Sequence, residues 1–110
     1  MAQETELVDV SVTASDPVWL AEFTKRLVAD RLAACGNIIP GIRSIYRWDG
    51  QIHDDTENLV VLHTRRSLVS AIIERANAEH ADETPQVLAV PVVDAHAGYM
   101  QWVLDSTRED

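Results

Sequence analysis

Segments of strand-like and helix-like patterning follow one another as strand, helix, strand, strand, helix, strand, with a short helical pattern at the end. That order predicts an α+β chain: a ferredoxin-like βαββαβ sandwich, one antiparallel sheet backed by two helices, plus a short C-terminal helix. Three observations carry the prediction. The first strand alternates cleanly, Asp49-Gly50 joins the second and third strand patterns as a hairpin signal, and two stretches repeat apolar residues at helical spacing. No repeat, low-complexity tract or linker interrupts the 110 residues, so one domain over 1–110 is expected, with its core at about 7–106.

Residues 7–13 set Val8, Val10 and Val12 against Asp9, Ser11 and Thr13, the period of a half-buried strand. "SDP" at 15–17 starts a helix, because Ser15 or Asp16 can accept a free backbone N–H and Pro17 suits the first turn. Leu20, Phe23, Leu27, Val28 and Leu32 form its apolar stripe to about Ala34, with Gly36 placed to end it. The second strand follows, and Pro40-Gly41 predicts a bulge or bend within it. After the Asp49-Gly50 turn, "ENLVVLHT" is the third strand. Leu68, Ile72 and Ala76 place a second helix over 66–79, which Pro85 bars from continuing. "QVLAVPVV" at 86–93 is the fourth strand, with Pro91 pointing to an edge or a bulge. Tyr99, Trp102 and Val103 give a short last helix over 98–106.

The second strand, "NIIPGIRSIYRWDGQI", does not choose a face. One parity carries Ile42, Ser44, Tyr46 and Trp48; the other carries Ile39, Arg43, Ile45 and Arg47. Two helices can cover only one face of a four-stranded sheet. The expectation is that one side of this strand meets the subunit's own helices and the other meets another subunit, since exposed apolar sheet is a liability.

A net charge of −9 argues against sequence-independent nucleic-acid binding. Apolar runs such as residues 88–93 are far short of the roughly 20 residues of a membrane span. The opening residues lack a basic flank followed by an apolar block, so the cytoplasm is the expected compartment. With Cys35 the sole cysteine, an intrachain disulfide is excluded, and the thiol is expected to pack as a small apolar group. Hydrolase triads, nucleotide-binding glycine patterns and P-loops are absent, and no enzymatic activity is expected.

His53, His63, His80 and His96 are widely spaced and form no helical pair. His63, inside a strand, reads as a satisfied core histidine. His80, at the end of the second helix, reads either as a metal ligand or as a favourable charge at the negative helix end. Asp54, Asp55 and Glu57 after the hairpin read as a solvated face. Arg43, Tyr46, Arg47, Trp48 and Arg65 are the residue types of interfaces and of anion-recognising clefts, and both readings stand at this point.

The block "RLAACGNIIPGIRSIYRWDGQI" resembles the signature of the CutA family, the divalent-cation tolerance proteins. Glu57, "HTRRSL", His80 with Glu83 and Pro85, and Tyr99 with Trp102 extend the resemblance over residues 8–104. It implies a compact homotrimer of ferredoxin-like subunits, with the long second and third strands reaching around neighbours. It also implies binding of divalent ions such as Cu²⁺ or Zn²⁺, none of them required for folding. The metal residues it implies are His80, Glu83 and Cys35; the inter-subunit cleft would use Tyr46, Trp48, Glu57 and Arg65. An alternative is a regulatory trimer that senses a small effector or a protein partner in that cleft. The chain departs from the family pattern at the second helix's end, where Ala81, Asp82 and Gln86 replace Pro, Tyr and Glu. Val12 and Glu79 stand where some members carry Cys and His, so a Cys-plus-two-His copper site does not carry over. Glu79, Asp82 and Glu83 could instead attract harder cations.

Overall fold

The computed structural model describes residues 5–109, which form four strands and three α-helices: β1 (Leu7–Ala14), α1 (Pro17–Ala29), β2 (Cys35–Trp48), β3 (Gln51–Arg65), α2 (Val69–Glu79), β4 (Val87–Pro91) and α3 (Ala97–Ser106). A single 3₁₀ turn at Arg66–Leu68 leads into α2. The sheet runs β2-β3-β1-β4, every neighbouring pair antiparallel. Val8, Val10 and Val12 of β1 and Val60 and Leu62 of β3 share one face. Leu20, Phe23 and Leu27 of α1 and Ile72 and Ala76 of α2 close over them as one core.

Asp16 caps α1, its Oδ1 accepting from the amides of Val18 and Trp19, with Pro17 in the first turn. The helix stops at Ala29, five residues before the sequence expectation, and Gly36 does not end it. Arg31 does. At φ 61° it takes the left-handed position usually given to glycine. The amide of Arg31 donates to Val28 O and that of Leu32 to Leu27 O, the paired bonds of a Schellman ending, with Leu27 and Leu32 both buried. Gly36 instead lies inside β2, where a Cβ would come within 2.5 Å of the Thr24 methyl and 3.1 Å of a Val60 methyl. It is glycine because α1 presses on the sheet there.

The expected irregularity at Pro40-Gly41 is a bulge. Ile39 pairs with Leu59 and Ile42 with Glu57, so two residues of β2 oppose Asn58 alone. Gly41 takes φ 71°, and Asn58 donates to the carbonyls of Ala14 and Ser15, fastening the bulge to the end of β1. The hairpin turns on Asp49 and Gly50, both at positive φ, as a two-residue turn requires for the twist of its strands. Pro91 lies on β4, the sheet edge, as its missing donor predicts.

Two expectations about the faces need correction. The second face is not wholly open, because α3 packs across one end of it, burying Val103 against Leu7 and Ala34. Nor does the outer half of β2 meet the chain's own helices. Past the bulge, residues 42–56 form an arm exposed on both faces, with Ile45 66%, Ile52 63% and Trp48 54% exposed. The helices end before it.

Candidate functional site

Where β1 ends at Ala14, the arm continues and the 81–86 segment after α2 lies beside it. Between them is a cleft of about 660 Å³, lined by Ser44, Tyr46 and Trp48 of β2, Glu57 of β3, Thr13 of β1, and Asp82 and Glu83 of the segment. The alternation of β2 places Ser44, Tyr46 and Trp48 on one face, and their cross-strand partners are Asp55, His53 and Gln51. Tyr46 stacks on His53 at 5.2 Å between ring centres, and its hydroxyl donates to Asp55 Oδ2 at 2.5 Å. That bond, with further contributions from burial and from the charges of Asp55, Glu57 and Asp82, pushes the phenol's pKa up to about 12. Tyr46 therefore stays neutral at any physiological pH. Its phenol proton is committed, so toward the cleft it can only accept.

The cleft is acidic. Among the described residues Glu57, Asp82 and Glu83 line it and no basic side chain does. Arg43, on the opposite face of the arm, is held bidentately by Asp54 at 2.8 and 2.7 Å, which raises its own pKa and lowers that of Asp54.

His80 stands behind the cleft wall with its side chain only 3% exposed. Its Nε2 faces the Thr13 carbonyl at 2.8 Å, so Nε2 carries the proton; its Nδ1 accepts the Asp82 amide at 2.9 Å. Both nitrogens are thus occupied in the neutral ring, which also meets Trp19 edge-on at 4.9 Å. The residue pins the 81–86 segment to β1 and offers no lone pair to a ligand. Of the two readings the sequence left open for it, these bonds describe the structural one.

Sequence reasoning grouped His80, Glu83 and Cys35, and separately Tyr46, Trp48, Glu57 and Arg65. The structure regroups them. Tyr46, Trp48, Glu57 and Glu83 come together in the cleft. Cys35 pairs with His63, which faces Asp9, four residues along β1 from Thr13 and so about 13 Å away. The thiol is half-buried beside Tyr99 of α3 rather than sealed in the core. Desolvation first, and then the Cys35 neighbour, raise the Tyr99 pKa. Arg65 is eight residues along β3 from Glu57, about 27 Å of strand. It donates to Leu104 O at 2.5 Å and Thr107 Oγ1 at 2.9 Å, tying down the C-terminal end of α3. Within one chain it stands apart from this cleft. His63 is held by Asp9 at 2.6 Å and Asn37 at 2.9 Å, satisfied as expected but on the sheet face opposite the main core.

The site residue that sequence reasoning missed is Thr13. In the pattern it is one more polar position of an alternating strand. In the fold it is 7% exposed and borders the cleft. Only knowledge of where the arm and the 81–86 segment meet could have singled it out.

The family described as CutA1 divalent ion tolerance protein matches residues 8–106. A protein CutA from the chloroplast of Arabidopsis thaliana is 42% identical over 79% of this chain, and this chain spans 48% of that protein. It likewise spans under two thirds of the rice, Xenopus laevis and human relatives. A divalent-cation tolerance protein CutA from Thermus thermophilus is 39% identical over 77% of this chain and 82% of that protein. Among solved structures, CutA1 from Oryza sativa superposes with a TM-score of 0.92 at 34% identity, covering 97% of this chain and 98% of that one. The Thermus thermophilus structure gives 0.90 at 33% identity, covering 93% and 99%. Sequence and fold agree, and the chain belongs to the CutA1 divalent ion tolerance family.

Proposed function

We propose that the protein is a homotrimeric divalent-cation tolerance protein of ferredoxin-like subunits, a binding protein rather than a catalyst, whose ions collect at the carboxylates of the arm cleft. The observation that carries this reading is the charge of the cleft, lined by Glu57, Asp82 and Glu83 with no cation among the described residues. Support for self-assembly is the arm itself, which leaves Ile45, Trp48 and Ile52 on the surface of one chain. The strand order β2-β3-β1-β4 with both crossover helices on one face supports the ferredoxin-like description.

The residues present do not make a closed cage for a soft ion within one chain. Among the described residues no three His, Cys, Asp or Glu side chains converge as a metal site, and the His80 ring is fully hydrogen-bonded. Oxygen ligands alone favour hard, partly hydrated ions over the sulfur and nitrogen sets that select copper. Cu²⁺ or Zn²⁺ would therefore bind weakly, as cargo, unless neighbouring copies complete the set. Titration calorimetry with Cu²⁺ and Zn²⁺ tests this. Glu57→Gln combined with Glu83→Gln should weaken binding about tenfold, a loss of ~1.4 kcal/mol. Binding unmoved by that pair would place the ions elsewhere.

The second reading, a regulator that senses a small effector in the same cleft, is favoured by the aromatic walls of Tyr46 and Trp48. A cytoplasmic location belongs to this proposal too; among the described residues no helix is long and apolar enough to cross a membrane.

A further inference from the structure

We propose that the first turn of α3 is closed by a pH-sensitive latch, the neutral imidazole of His96, and that acid loosens this turn over the sheet face where Cys35 and His63 lie.

His96 is the N-cap of α3. Helices are most often capped by Ser, Thr, Asp or Asn, whose side-chain oxygen accepts a free backbone N–H across the physiological pH range. Here the acceptor is a ring nitrogen. His96 Nδ1 accepts the Tyr99 amide at 3.2 Å, and the His96 carbonyl accepts that of Met100 at 2.9 Å. The ring therefore carries its proton on Nε2. The turn is also shaped around the imidazole. A Cβ on Gly98 would come within 3.0 Å of His96 Cε1 and 3.3 Å of Nδ1. Glycine is among the poorest residues inside a helix, and the ring lying across the first turn is the reason for it here.

A second proton on the ring goes to Nδ1, and an N–H cannot accept a hydrogen bond. The Tyr99 amide then loses its partner, and the new charge stands at the positive end of the helix dipole. Both effects oppose the turn. Histidine is the side chain that changes charge between about pH 5 and 8, so the cap is made at the upper end of that range and lost toward the lower. Asp94, the nearest acid along the chain, is turned to its own backbone, its Oδ1 accepting the Ala95 amide at 2.9 Å. Asp9 of β1, Cys35 of β2 and His63 of β3 reach this turn from the sheet, all at the Tyr99 side chain. Among the described residues none of them bonds the His96 ring.

The loosening is confined to one end of α3. Arg65 and Arg31 hold the other end, donating to the carbonyls of Leu104 and Asp105. Tyr99 belongs to the released turn, with its ring edge-on to His63 at 6.0 Å and its hydroxyl beside Cys35. Acid thus frees the cover over that imidazole and thiol without detaching the helix.

The test is ¹H–¹⁵N NMR of the full chain from about pH 8 to pH 5, with His96→Asn as a cap that does not titrate. In the wild type the Tyr99 amide resonance should move as the His96 ring titrates, with the same midpoint. In His96→Asn it should stay in place, although His63 still titrates. Denaturant unfolding gives the second readout. The unfolding constant of the wild type relative to His96→Asn should rise about fivefold from pH 8 to pH 5, the factor of a typical cap. A Tyr99 amide that ignores pH, one that moves equally in His96→Asn, or a ratio of unfolding constants that does not change with pH would overturn the proposal.

Discussion

The inner and outer halves of the β2–β3 hairpin are built from the same kinds of residue and end in opposite environments. In the inner half of β3, Val60, Leu62 and Thr64 are fully buried under α1 and α2 or the turn after α1. In the outer half, Ile52 is 63% exposed, and Ile45 on the paired strand is 66% exposed. What separates them is the bulge at Pro40-Gly41, beyond which neither helix reaches. Apolar side chains therefore do not by themselves fix where a strand is buried. The helices select which half becomes core, and the half left over is available for another molecule.

Matched truncations sharpen this contrast. Leu62→Ala should cost about 2–5 kcal/mol in denaturant unfolding, whatever the protein concentration, because it opens a cavity in a closed core. Ile52→Ala removes a similar side chain from the same strand. It should leave the subunit's intrinsic stability within about 0.5 kcal/mol and show itself only as a change in the concentration dependence of unfolding. Equal, concentration-independent losses at both positions would erase the distinction.

Next in size is Gly36→Ala, expected to cost about 1–3 kcal/mol, because the added methyl meets Thr24 and Val60 within the closed half. Smaller again is Glu79→Gln. Glu79 accepts from Arg75 at 2.8 Å and Arg26 at 2.9 Å, joining α2 to α1. The Arg75 bond, with Arg26 assisting against desolvation, holds the carboxyl below its ordinary 4.5. Its stabilisation is therefore complete above pH 4.5 and is lost as pH falls through the lower folded-state value. Glu79→Gln should cost roughly 1 kcal/mol at neutral pH and flatten that acid limb of the stability curve. The corresponding pair on the arm, Arg43 with Asp54, is solvent-exposed, and Asp54→Asn should have the smallest effect of the set on the thermal midpoint.

Element order, the two-residue hairpin turn, the bulge and the edge position of Pro91 were legible in the sequence, because each follows from local backbone chemistry at Asp49-Gly50, Pro40-Gly41 and Pro91. The end of α1 was not. A non-glycine residue, Arg31, takes the left-handed position there, while Gly36 is needed for close approach rather than for a turn. Of the candidate site, Tyr46, Trp48, Glu57 and Glu83 were legible as residues, but their grouping was not, because it depends on the 81–86 segment lying against the arm. His80 illustrates the limit. Its side-chain type suggests a ligand, and only its two hydrogen bonds, to Thr13 O and from the Asp82 amide, show that it is spent on holding that segment.

The central claim is that the exposed arm is an assembly surface, and sedimentation equilibrium of the full chain at micromolar concentration tests it most directly. The account predicts a single species at three times the 12.3 kDa chain mass. A monodisperse species of 12.3 kDa would contradict it.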